Sequence, residues 1–152
     1  MQKLLRWGVC GLFVIGIFGM AYAQFAKPED AIAYRKAAMT LIGQHFGRIG
    51  AVVQGKTPFD KQAVAKNAEL VATLATLPWE AFMTAGTDKG NTHMKPEALK
   101  DQEGFKAAGN ATQAETAKLA QVAAAGDLEA IKAQFGAVGK SCKGCHEKFQ
   151  AH

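Results

Sequence analysis

Near the end of the 152-residue chain stands Cys142-Lys143-Gly144-Cys145-His146, two thiols and an imidazole within one short stretch. Cysteines three positions apart share one face of a helical turn, so both sulfurs can reach the same partner. A thiol adds to a vinyl group to give a thioether, and an adjoining imidazole can serve iron as an axial ligand. C-x-x-C-H is the spacing of covalent haem attachment: Cys142 and Cys145 would anchor one haem c through two thioethers, and His146 would ligate its iron. Two other chemistries use the same residue types. A redox dithiol calls for a preceding strand and a βαβ pattern, which the sequence lacks. A structural zinc site needs more ligands than these three, and His45, His93 and His152 supply no second paired motif.

The turn that carries the cysteines must be held by a helix. Leu128, Ile131, Phe135, Val138, Cys142, Cys145 and Phe149 recur at alternating steps of three and four, the seam of a helix that faces a bundle. Gly126 and Asp127 precede it as a C-cap and an N-cap. Upstream, Lys27-Pro28-Glu29-Asp30 opens a helix with proline at a first position and acids in the first turn. Ile32, Met39, Ile42, Phe46, Ile49 and Val53 then continue at helical spacing towards Gly55. A second helix is expected over Lys61 to Leu77, with Val64, Val71, Leu74 and Leu77 on its buried side and Pro78 as its stop. Residues 79–95 read as an irregular connection whose Trp79, Phe82 and Met83 must pack over something. Pro96-Glu97 opens a third helix with Phe105, Thr112, Leu119 and Val122 along one stripe. Four helices with mostly short connections predict an all-α, antiparallel four-helix bundle, with the haem attached near the last helix.

Composition agrees with one small globular domain. Hydrophobic residues make up 49% of the chain, with 18 Lys and Arg against 13 Asp and Glu. Disordered, collagen-like and disulfide-dense classes are excluded. Residues 1–23 are set apart: Lys3 and Arg6 precede an apolar stretch from Gly8 to Met20, and Ala21-Tyr22-Ala23 is a small-x-small cleavage site. This is the pattern of a cleaved secretory signal peptide, with an apolar core too short for a comfortable membrane span. The expected mature domain is 24–152, in a compartment outside the cytoplasm. Its small positive excess gives no reason to expect nucleic acid or membrane as a partner.

Only six residues follow His146, so any group on the opposite side of the iron must come from an earlier helix. Here the sequence resembles the class II cytochromes c, and among them the cytochrome c′ family. The resemblance runs through Gln24-Phe25-Ala26-Lys27-Pro28-Glu29-Asp30-Ala31, Tyr34-Arg35, His45-Phe46-Gly47-Arg48 and Leu77-Pro78-Trp79-Glu80-Ala81-Phe82. It continues through Ala125-Gly126-Asp127-Leu128 to Phe135-Gly136-Ala137-Val138-Gly139-Lys140-Ser141-Cys142-Lys143. It implies that His146 is the proximal ligand and that Arg35 is the counter-charge to a haem propionate. It also implies that Met39, Ile42, Trp79 and Phe82 close the distal face. Positions 35, 39 and 42 do share one helix face. The sequence departs from the family at Gln150, four positions after His146, where relatives often carry a basic residue; Lys148 lies on another face.

Met39 divides the mechanism. As an apolar filler over an open iron it gives a five-coordinate, high-spin centre. As a thioether ligand opposite His146 it gives a six-coordinate, low-spin electron carrier. The Ile42, Trp79 and Phe82 wall resembles that of the high-spin group, which favours the filler. An apolar pocket without donors admits small neutral gases such as NO and CO and rejects water and anions. Expected partners are such gases, periplasmic redox proteins and, by resemblance, a second copy docked through the first two helices. With no polar acid or base on the distal face, an enzyme is not expected. His45 should face away from the iron, and His93 and His152 should be solvated. Gly43, Gly47 and Gly50 mark either a close approach or loose packing.

Overall fold

A computed structural model describes residues 24–151. The leader assigned to 1–23, Cys10 within it, and His152 fall outside the described residues. Helix α1 spans Pro28–Val53, α2 Lys61–Leu74, α5 Gln102–Ala125 and α6 Leu128–Phe149; the short helices α3 (Trp79–Phe82) and α4 (Glu97–Lys100) lie in the long connection.

The ends of these helices follow from local chemistry. Pro28 sits in the first turn of α1 with Glu29 and Asp30, where carboxylates face the positive end of the helix dipole. The Asp60 carboxylate accepts from the backbone N–H groups of Gln62 and Ala63 at 2.9 and 3.1 Å and starts α2. Asp127 does the same for α6 through Glu129 and Ala130. Between α5 and α6, Gly126 takes φ +83°, which a side chain would resist, and so permits the reversal.

Three expectations needed correction. The connection read as irregular from Trp79 onward opens with a helical turn, α3, directly after Pro78. The second helix ends at Leu74, not Leu77, because 75–77 form a turn ahead of Pro78; Leu77 is 38% exposed and is not part of the buried side. The third helix is broken after Lys100. Asp101 leaves helical geometry at φ −104° and ψ 64°, and its side chain accepts from Gly104 N–H at 2.9 Å to start α5 afresh.

The long helices pack as α1 on α2, α2 on α5 and α5 on α6, with α1 also touching α6. Contacts set the directions. Lys61, at the start of α2, donates to the Ala125 carbonyl at the end of α5, while Phe105 near the start of α5 meets Phe149 at the end of α6. The result is an antiparallel four-helix bundle. One core cluster, built on Ile49, Val64, Leu119, Ile131 and Val138, fills one end, and each large side chain there contributes about 1.5–3 kcal/mol by leaving water. Gly50 lets the Phe135 ring approach: a Cβ there would stand 3.0 Å from Phe135 Cζ, and Phe135 stacks on Phe46 with centroids 4.1 Å apart. Gly43 and Gly47 face open space, so the close approach is confined to Gly50. His45 is an interhelix residue: its Nδ1 lies 2.9 Å from Asn67 Oδ1, and Asn67 Nδ2 donates to the Ala63 carbonyl. No described helix is long and apolar enough to cross a membrane.

Candidate functional site

The second core cluster, at the opposite end, is aromatic. Phe105 lies between Phe82 and Phe149, with centroids 5.0 and 5.2 Å away, and Trp79 meets its edge at 5.9 Å. Met94 and Ala98 complete the cluster. Cys145 packs against it, whereas Cys142, one turn earlier on α6, packs against the first cluster. The two thiols thus stand at the junction of the cores, half-buried and not bonded to each other. Burial pushes both thiols up from their ordinary range, and Cys142 adds to the effect on Cys145. His146 follows on the exposed side of the same turn.

Trp79 is held at both ends. Its indole N–H donates to the Ala75 carbonyl at 2.6 Å, and its ring lies on the bare backbone of Gly109. Arg35 reaches the same end of the bundle from α1. Arg35 is 3% exposed, and its guanidinium sits over the Phe82 ring, 4.6 Å from the centroid. Burial pulls its pKa down, and Asp88 partly opposes this. No carboxylate among the described residues forms an ion pair with it. Its two terminal nitrogens instead donate to the carbonyls of Ala81 and Thr87, the Thr92 hydroxyl and the Met94 sulfur.

The structure therefore brings together Cys145, Trp79, Phe82 and Arg35. Met39 and Ile42 are half-buried on α1 and belong to neither cluster. Sequence reasoning missed Thr87, Thr92, Met94 and Gly109. Only the unusual length of the connection, with its large apolar side chains, hinted that it was more than a linker. Two surface cavities lie elsewhere: one of about 330 Å³ beside Ile49 and Val64, and one of about 410 Å³ beside Phe25 and Met83. Neither is lined by Cys142, Cys145 or His146.

The donor set fits a c-type haem. Two thiols and one imidazole on a single turn are too few for a protein-only metal centre, and no cluster of three or more metal-ligating side chains occurs among the described residues. A porphyrin carries the remaining nitrogen donors itself. A buried guanidinium with no ion-pair partner suits a propionate.

An antiparallel four-helix bundle whose final helix carries C-x-x-C-H, with both cysteines on its inward seam, defines a four-helix-bundle c-type cytochrome. The model of the family described as Cytochrome C' matches residues 30–150. The cytochrome c′ of Rubrivivax gelatinosus is 51% identical over 84% of this chain and 98% of its own. Among solved structures, cytochrome c prime from Shewanella frigidimarina superposes with a TM-score of 0.81 at 41% identity, covering 84% of this chain and 99% of that one. A nitric oxide complex of a leucine-to-alanine variant of cytochrome c prime from Alcaligenes xylosoxidans gives 0.79 at 44% identity, over 85% and 99%. The chain belongs to the cytochrome c′ family.

Proposed function

We propose that the chain is a periplasmic monohaem cytochrome that binds NO and CO and passes electrons to periplasmic partners. The leader 1–23 would be removed on export. Cys142 and Cys145 would hold the haem through thioethers, His146 would be the only ligand the protein gives its iron, and Arg35 would be the charge partner of a propionate. When bound, haem c would supply a one-electron couple and a binding position for a diatomic gas.

The chain's own residues would decide what reaches the iron. Met39 and Ile42 from α1 would join Trp79 and Phe82 from α3 as an apolar wall once the haem lies between them. The indole N–H is already committed to Ala75, so this wall has no donor to retain water or an anion. Selection is then by size and polarity. Arg35 keeps its charge at the edge of the site, where it offsets propionate charge and favours the reduced state. The nitric oxide complex of the Alcaligenes xylosoxidans relative supports the gas-binding part of this reading. A second copy docked on α1 and α2 is the proposed oligomer.

The observation that carries the proposal is the turn Cys142–His146, which seats Cys145 on the cluster containing Trp79 and Phe82. Acid–acetone treatment of the denatured protein tests it. Haem colour should stay with the polypeptide and be lost when Cys142 and Cys145 are both replaced by alanine. Extractable haem in the wild type would overturn it.

A further inference from the structure

Thr92, Met94 and their neighbours are given no part by the reading above, yet they join Arg35 to the end of α6. Residues 93–95 run antiparallel to 149–151. Lys95 N–H donates to the Phe149 carbonyl at 2.9 Å, Ala151 N–H to the His93 carbonyl at 2.7 Å, and Met94 pairs with Gln150 between them. The Lys95 ammonium also donates to the Glu147 carbonyl at 3.0 Å. This strap clasps the last turn of α6, where Gln150 N–H still bonds the His146 carbonyl at 2.9 Å.

So short a pairing is marginal by itself and needs an anchor. Arg35 supplies one. Its Nη2 donates at 2.6 Å to both the Thr92 hydroxyl and the Thr87 carbonyl, and its Nη1 donates to Met94 Sδ at 3.2 Å and the Ala81 carbonyl at 3.4 Å. The Thr92 oxygen also accepts from Met94 N–H at 3.1 Å, which fixes the bend into the strap. One buried cation thus grips both the wall segment at 81–82 and the strap on the His146 turn. Charge-assisted bonds of this kind are the strong ones.

We propose that Arg35 and Thr92 are positioning residues for His146, holding its helical turn in place through the 93–95 strap. This rests on the reading of His146 as the axial ligand. Losing the Thr92 acceptor leaves the strap tied to Arg35 only through the weak Met94 sulfur contact at 3.2 Å, so the last turn of α6 opens more often and the imidazole samples a wider range of orientations.

The test is Thr92→Val, nearly isosteric, with Thr92→Ser as the conservative rescue, in the haem-loaded protein. Hydrogen exchange at the Lys95 and Ala151 amides should speed up about tenfold or more in Thr92→Val and return towards wild type in Thr92→Ser, while α2 amides stay unchanged. The iron–histidine stretching band of the ferrous protein should broaden or shift in Thr92→Val alone. Unchanged strap exchange, a rise shared equally by α2, or a loosened strap with an unmoved band would each overturn the proposal. Failure of the haem reading shows separately, as a wild-type protein with no such band and an intact strap.

Discussion

Trp79 rests on Gly109 so closely that a Cβ at position 109 would stand 2.8 Å from the indole Cε3 and Cζ3 atoms. The glycine is therefore a seat for the ring that forms part of the proposed distal wall. Gly109→Ala must push the indole off α5 or bend the helix. The expected cost is about 1–3 kcal/mol, as for overpacking elsewhere. Thermal denaturation should show the loss, and CO association with the ferrous protein should change with it. Wild-type stability together with wild-type CO kinetics would mean that Trp79 does not depend on this seat.

Arg35 is a buried cation with hydrogen bonds but no ion pair among the described residues. Arg35→Gln keeps some of its donors and removes the charge. Taking a positive charge from the haem edge disfavours the reduced state, so the reduction potential should fall. An unchanged potential in potentiometric titration would remove the propionate role.

Asp101 starts α5 and accepts from the Lys148 ammonium at 2.6 Å, which joins the broken third helix to α6. The Lys148 hydrogen bond, and then the bond from Gly104 N–H, hold its carboxyl below the usual range. A depressed carboxyl stabilises the folded state above its unfolded pKa, and that stability fades as pH falls through the folded one. The contribution should be intact at neutral pH and lost below about pH 4. Asp101→Asn retains a cap but not the charge. Its melting temperature should be lower than wild type at neutral pH, with the gap closing in acid. A gap that stays constant with pH would contradict the ionic account.

The seam from Leu128 to Phe149 could be read directly because one helix repeats its pattern for six steps. Gly126 and Asp127 were legible because capping is local. Thr87, Thr92 and Met94 were not, since they meet Arg35 across 52 to 59 positions and follow no period. The break at Asp101 was hidden for a related reason: Pro96-Glu97 and Asp101 both resemble helix starts, and only the bond to Gly104, with the ion pair to Lys148, shows that two helices begin there. Leu77 misled because apolar spacing ran on past the point where the approach to Pro78 ended the helix. The aromatic cluster drew its members from four separate segments, so its position beside Cys145 belongs to tertiary structure alone.

Met39 is half-buried on the same helix as Arg35, and its proposed role is that of a filler over an open iron, not a ligand. Truncating a filler enlarges the pocket without breaking a bond to the metal. Met39→Ala should therefore leave spin state and haem retention as in the wild type while speeding NO and CO entry. Stopped-flow mixing of the ferrous protein with CO checks the rate, and unchanged entry would mean that Met39 does not line the path.

The most direct test is the absorption spectrum of the ferrous wild-type protein at neutral pH, recorded before and after NO and repeated for Met39→Ala. Both proteins should give a high-spin spectrum that changes on addition of NO. A low-spin wild-type spectrum that turns high-spin in Met39→Ala would contradict the filler role, making the methionine the sixth ligand and the protein a six-coordinate electron carrier.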